Sequence, residues 1–299
     1  MGNHHSLLKR ANKKRNRLRS SSSELGGTQS CASSFTSNNS SGTSSNYFLR
    51  DSEDEFDRLQ RVHFFSKHFF DGKNLSAPCT KVLEDGCMVL DIGCGSGAWA
   101  LDCATEFQKS TFVGVDISPM FPMTIKPYNT MFIQVNALEG LPFESNTFEI
   151  VHLGNMGFCF TEEQWTQIVN HFQQQIPEVI RVIKPDGWIE VCELSLRMQD
   201  TGPCMTQILA ATRSYLDELK INIDFIERMK DWLTENVRTV TDVQEIIVSR
   251  SVGGSKLGDI YAENSTPAMK NISPHVSRIM NITEDEYDKM VEEFQKEIK

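Results

Sequence analysis

The reading of the fold turns on residues 89–104, VLDIGCGSGAWALDCA. An apolar run ends at Asp91, the turn Gly93-Cys94-Gly95-Ser96-Gly97 follows, and a helical pattern starts near Ala98. A sharp strand-to-helix turn needs glycine, because the chain bends tightly and a ligand can reach the backbone only where no Cβ intervenes. The helix N-terminus behind it offers unpaired N–H groups and a partial positive charge, suited to a carboxylate or a phosphate. Gly93-x-Gly95-x-x-Ala98 also satisfies the loose dinucleotide pattern, so the turn alone leaves a nicotinamide-dependent oxidoreductase open.

Two neighbours tip the choice. Asp91, just before the turn, repels a pyrophosphate and attracts an ammonium group, and Gly97 adds a third alternating glycine. An acid before the turn and a helix end after it match a zwitterionic amino acid, such as the methionyl part of S-adenosylmethionine. Asp116 closes the next apolar run, FVGVD, where an acid can accept from both hydroxyls of a ribose. Taken singly, Asp116 could also be a surface acid opening the turn Asp116-Ile117-Ser118-Pro119. Third comes Asn136-Ala137-Leu138: an amide for an exocyclic amine, a backbone N–H for a ring nitrogen and an apolar side chain for a purine face.

Outward from this core the chain alternates short β-type runs with helical stretches, the pattern of a parallel sheet wrapped by helices. Strands are predicted at 88–91, 111–116, 130–135, 148–153 and 188–192, with a late strand at 242–252. Helices are predicted at 98–107, 162–174 and 178–183, and two more within 204–236. Phe56, Leu59, Val62 and Phe65, with His63 and Phe69 nearby, predict an amphipathic helix over 54–70. The C-terminal segment TEDEYDKMVEEFQKEIK has a Thr283 cap, an acidic first turn and lysines at its end, as the helix dipole favours.

These segments together resemble the class I S-adenosylmethionine-dependent methyltransferases, in particular a fungal group with a Methyltransf-25/11-like core. The resemblance runs over 47–299 and rests on YFLRDSEDEFDRLQRVHFFSKHFF, LDIGCGSGAWALDCA, FVGVDISPMFP, IKPYN, LEGLPFESNTFEIV, EEQW, VIRVIKPDGWIEVCE, GP at 202–203, GGSKLGD and ITEDEYDKMVEEFQKE. It implies an α/β class, a Rossmann-like, seven-stranded, mostly parallel sheet flanked by helices. It divides 47–299 into an N-terminal helical lid (47–80), a cofactor-binding core (81–195) and a C-terminal cap with the last strands (196–299). It further implies that Asp91, Gly93, Gly95 and Gly97 cradle the methionyl portion of S-adenosyl-L-methionine. Asp116 and Ile117 then take the ribose, Asn136, Ala137 and Leu138 the adenine, and backbone near Leu153 closes the pocket. No metal is implied. The chain departs from the family pattern at Asn136, where an aspartate is common, at Asp186, which replaces a glycine in the KPDGW turn, and in the extra material NHFQQQIP.

Composition bounds the remaining possibilities. Of 299 residues 39% are hydrophobic and 23% charged, enough for a sizeable core, and no run of eighteen apolar residues suggests a membrane span. Residues 1–20 hold seven of the 30 bases and none of the 40 acids, which leaves 23 bases against 40 acids, a net −17, for residues 21–299. A body that acidic argues against nucleic acid as a partner. None of the eight cysteines forms a Cys-x-x-Cys pair, so neither a zinc ribbon nor a dithiol redox site is suggested, and with no secretory signal visible they read as reduced thiols of a cytoplasmic protein.

Residues 1–46, a basic block followed by Ser, Asn, Gly and Thr, read as a disordered tail. Met1-Gly2-x-x-x-Ser6 fits the N-myristoylation pattern, and the bases from Lys9 to Arg19 supply the second signal that a single acyl chain needs. A nuclear-localisation-like cluster, a transit peptide and a merely solvated tail are the rival readings.

The expected reaction is in-line displacement of a sulfonium methyl, in which alignment and exclusion of water supply much of the rate. His152 and Glu193 stand near strand ends as possible bases, each also readable as a packed or solvated residue, and no catalytic base is assigned. Phe64, Phe65, Phe69 and Trp232, outside the sheet, suggest an apolar small-molecule acceptor, though the same residues could simply pack the lid. A binding or regulatory protein that has kept the fold without the activity is the alternative.

Overall fold

Val89, Leu90 and Ile92 are apolar on both faces of one strand, a pattern that only a sheet covered on both sides can bury. In the computed structural model, which describes residues 53–169, 178–237 and 239–298, all three are essentially without exposure. They lie in β1 (Met88–Ile92), the middle of a sheet with β2 (Thr111–Asp116), β3 (Thr130–Gln134), β4 (Phe148–Gly154) and β5 (Ile183–Cys192). The order is β3-β2-β1-β4-β5 and every pairing is parallel. Chain order reverses at β1, so a crevice opens beyond the carboxyl ends of β1 and β4, where doubly wound sheets bind ligands. Register sets Asp91 beside Gly114 on one flank and His152 on the other.

Helices cover the sheet. Ahead of it run α1 (Glu53–Phe69) and the short α2 (Thr80–Asp85); α3 (Ala98–Glu106) leaves the glycine turn. Then α4 (Glu162–Val169) and α5 (Glu178–Val182) join β4 to β5. One core lies between the sheet and α4, α5 and the later helix Asp224–Asn236, with Val113, Phe148, Leu153, Trp165 and Phe225 fully buried. Val89, Ala100, Cys103, Phe112 and Ile150 form the core on the opposite face.

The sheet has five strands among the described residues, not the seven expected, and it is wholly parallel. Residues 242–252 form no strand. Ile246 and Ile247 are 56% and 81% exposed, so the apolar pair that suggested a strand has no sheet face to bury against. Nor does the cap carry last strands: beyond β5 the regular elements described are all helices, α6 (Pro203–Glu218), α7 (Asp224–Asn236), α8 (Lys256–Asn271), α9 (Ser273–Met280) and α10 (Glu284–Ile298). Met205, Ile208 and Tyr215 of α6 recur at helical spacing and meet Met269, Val276, Tyr287, Val291 and Phe294 in a separate core. α10 starts with a capping box, in which Glu286 N donates to Thr283 Oγ1 and Glu286 Oε2 accepts from Thr283 N.

In β5 the pairing passes from Phe148–Ile183 to Ile150–Trp188, so the KPDG turn loops out of the ladder. Asp186 takes the left-handed conformation there, φ 62°, which an aspartate tolerates. Gly187 behind it has no room for a Cβ, which would stand 2.7 Å from Ile183 Cγ1. The basic, Ser-rich tail, Gly2 and the NHFQQQIP insertion lie outside the described residues.

Candidate active site

The glycine turn adopts the backbone that its sequence demands. Gly93, Gly95 and Gly97 have φ of 72°, 52° and 76°, all in the left-handed region. A Cβ on Gly93 would lie 2.1 Å from Met156 Sδ, and one on Gly97 2.7 Å from the Phe132 ring. The turn is fixed to the sheet by Gly93 N and Cys94 N, which both donate to Val115 O. Asp116 adds a second tie: its Oδ2 accepts from Gly95 N and its Oδ1 from Ser118 N, each at 2.8 Å.

Around this turn lies a cavity of about 1130 Å³. Ligand pockets commonly occupy about 300–1,000 Å³, so there is space for a nucleoside cofactor and a second molecule beside it. Asp91, Gly93 and Gly95 border it, with Asp116 and Ile117 on one side and Asn136, Ala137 and Leu138 on another. Asn136 caps the 3₁₀ turn Ala137–Glu139, its Oδ1 accepting from Leu138 N and its Nδ2 donating to Glu139 Oε1.

Gly97 and the Leu153 side chain do not border the cavity. Gly97 stands behind the turn at the start of α3, against Phe121 and Phe132. Leu153 turns its side chain wholly into the core, because strand alternation sends it away from the crevice, and His152 and Gly154 border the cavity on either side of it.

Asp91 is the informative group. It is 3% exposed, its Oδ2 has no hydrogen-bond partner, and burial pushes the carboxyl up to about 6 against the pull of His152. An unpartnered buried carboxylate oxygen beside a glycine cradle fits an incoming ammonium group, as in the methionyl end of S-adenosyl-L-methionine.

His152 lies under Trp99, and its Nδ1 meets Glu190 Oε2 at 3.1 Å. Burial opposes the imidazolium, but Glu190 and Asp91 outweigh it and hold the His152 pKa above its ordinary value. Burial likewise works against the Glu190 charge and is overcome by His152 and the N–H groups of Ser76 and Ala77, so that carboxyl lies below its usual range. Glu193 accepts from Met156 N and Gly157 N at 2.7 and 2.9 Å, fixing the chain after β4. Burial pushes its carboxyl up to about 7 in spite of those bonds.

The wall facing the turn belongs to α1, and its chemistry differs from the apolar one expected. Phe64 is 57% exposed, Phe65 packs on Phe69 and Tyr261, and Trp232 packs on Phe225. None of the four borders the cavity; Leu59, Val62, His63, Ser66 and Lys67 do. Aromatic content alone gave no helical phase, whereas the i, i+3, i+4, i+7, i+8 spacing from Leu59 gives that face directly. His63 and Asp102, 39 residues apart, carry no local signal that joins them.

A parallel sheet reversing at β1, a glycine turn and acids at the ends of β1 and β2 make up the Rossmann-like class I methyltransferase fold, with a crevice that fits S-adenosyl-L-methionine. Residues 89–187, about a third of the chain, match the model of the methyltransferase domain family Methyltransf_25. The chain is 32% identical over 148 residues to methyltransferase str3 of Strobilurus tenacellus, a match spanning 50% of this chain and 48% of str3, about half the length of each. It is 25% identical over 244 residues to N-methyltransferase gliN of Aspergillus fumigatus, covering 78% of this chain and 83% of gliN. The secondary metabolism regulator LAE1 of Cochliobolus heterostrophus is 25% identical over 145 residues, covering 48% and 44%.

Proposed function

We propose that this protein transfers the methyl group of S-adenosyl-L-methionine to a small-molecule acceptor by in-line displacement. The observation that carries the reading is Asp91 Oδ2, buried without a partner beside the glycine turn. Asp91 takes the methionyl ammonium, while the backbone of Gly93 and Gly95, with Gly97 holding the turn in shape, follows the rest of that moiety. Asp116 and Ile117 take the ribose, Asn136, Ala137 and Leu138 the adenine, and backbone beside Leu153 closes the end. The cofactor supplies an activated methyl; the chain aligns it, excludes water and leaves space for the acceptor.

The names of str3 and gliN support methyl transfer. That of LAE1 supports a second reading, a regulator built on the same fold. Formation of S-adenosylhomocysteine with a panel of small phenols, amides and amines favours the enzyme; tight binding of S-adenosylhomocysteine without turnover of any of them favours the regulator. A thermal shift with NAD and none with S-adenosylhomocysteine would remove both. The net charge of −17 over 21–299 supports a partner other than nucleic acid. Myristoylation of Gly2 beside the bases from Lys9 to Arg19 gives peripheral membrane contact, read by intact mass and by vesicle co-sedimentation of the native protein.

A further inference from the structure

Along α1, Leu59, His63 and Ser66 stand one above another on the cavity wall. Leu59 lies over the glycine turn, since a Cβ on Gly95 would come within 3.1 Å of Leu59 Cδ1. A turn further on, the His63 ring borders the cavity with its Nε2 2.9 Å from Asp102 Oδ2. The same oxygen accepts from Lys67 Nζ at 2.6 Å.

This arrangement decides the tautomer. Burial opposes the Asp102 charge, but Lys67 and His63 outweigh it and hold the carboxyl below its ordinary range. Asp102 is therefore an ionised acceptor, and the hydrogen between it and His63 sits on Nε2. The lone pair falls on Nδ1, which has no hydrogen bond among the described residues. Around the ring stand Asp102 of α3, Lys67 of α1 and His152 of β4. Burial, Lys67 and His152 favour the neutral ring and Asp102 the charged one, with the neutral ring ahead. His152, the other imidazole on the wall, is biased towards its charged form by Glu190 and Asp91.

We infer that His63, oriented through Nε2 by Asp102, accepts at Nδ1 the proton of a methyl acceptor bound between α1 and Trp99. The acceptor class is one that still carries its proton at neutral pH, a hydroxyl or an amide N–H. Its oxygen or nitrogen forms the bond to the methyl carbon, the carbon–sulfur pair remains on sulfur, and the proton passes to Nδ1 and then to solvent. Asp102 is the positioning residue, stabilising the imidazolium as it forms. Ser66, whose buried Oγ has no partner, borders the same space and can hold a polar group of the acceptor.

The inference rests on the methyltransferase reading, and the test separates the two. Calorimetry of the full-length wild type with S-adenosylhomocysteine addresses that reading alone. Histidine ¹⁵N NMR at pH 7.5 and carbethoxylation of His63 by diethyl pyrocarbonate, each with and without S-adenosylhomocysteine, address His63. The expected results are an Nε2–H tautomer that Asp102→Asn releases, and carbethoxylation that persists with the product bound. His63→Gln should bind S-adenosylhomocysteine within about twofold of wild type, yet lose roughly 10²–10⁴-fold in turnover of an accepted phenol or amide. An Nδ1–H tautomer or a charged ring overturns the assignment. So does full protection of His63 by S-adenosylhomocysteine together with tenfold weaker binding by His63→Gln, which puts the ring on the cofactor.

Discussion

The indole of Trp99 lies flat on the imidazole of His152, ring centroids 3.8 Å apart and planes 2° from parallel. Trp99 Nε1 donates to Asn74 O, and Glu190 joins His152 to Ser76 N and Ala77 N. The first turn of α3, the middle of β4 and the segment before α2 are thus held as one wall of the cavity. His152, with its pKa raised, gives stability that is fully present below about 6.5 and is lost as pH rises through its folded value. Glu190, with its pKa lowered, gives stability present above the usual carboxylate range and lost as pH falls through its folded value. Glu190→Gln should therefore cost about 1.5–3 kcal/mol near pH 6 and less at pH 8. Urea denaturation at both pH values measures the difference, and an equal cost at both would mean that His152 does not change its charge between them.

Asp91 has the sign opposite to that of Glu190. Its folded value of about 6 lies above the ordinary 3.8, so the free protein loses stability as pH rises between those values. Asp91→Asn should raise the melting temperature of the free protein at pH 7.5, relieving a buried charge, and weaken S-adenosylhomocysteine by about 10-fold or more. Wild-type affinity should fall as pH drops below 6, where Asp91 takes up its proton. Calorimetry from pH 5 to 8 checks both; a variant that binds as well as wild type takes Asp91 out of the ammonium site.

What the sequence disclosed and what it withheld follow from the range of the forces involved. β1, the glycine turn and α3 were legible because each constraint there is local: a buried apolar run, left-handed glycines and a helix start within ten residues of one another. The five strands were legible for the same reason. The 242–252 reading failed because Ile246 and Ile247 look alike whether or not a sheet edge is there to receive them. α8 and α9 went unread because Pro267 lies inside the first and Pro274 opens the second, and their stability comes from packing on α6 and α10. Asp91, Asp116 and Asn136 were legible as side chains at strand ends. The His63–Asp102 pair was not, since it exists only once α1 lies on α3.

Asp116 holds the glycine turn and, on the proposed reading, takes the ribose as well. Removing its carboxylate takes away the acceptor of Gly95 N as well as any bond to a ligand hydroxyl. Asp116→Ala should abolish the thermal shift given by S-adenosylhomocysteine, a ligand that at a hundred times its dissociation constant stabilises by about 2.7 kcal/mol. Asp116→Asn, which keeps an acceptor for Gly95 N, should retain more of the apo stability while still binding weakly. An unchanged shift in Asp116→Ala would remove this residue from the site.

Gly97 and Gly72 separate the two reasons for a glycine. Both have positive φ, 76° and 81°, so an alanine at either carries left-handed strain of about 1–2 kcal/mol. At Gly72 a Cβ meets nothing within 4 Å, whereas at Gly97 it would stand 2.7 Å from the Phe132 ring, itself stacked on Phe121. Overpacking of a filled core adds about 1–3 kcal/mol, so Gly97→Ala should cost roughly 2–5 kcal/mol against about 1–2 for Gly72→Ala. Chemical denaturation of the two variants measures the gap. Equal losses would show that the Phe121–Phe132 pair yields without cost, and that the turn needs Gly97 for its backbone angle alone.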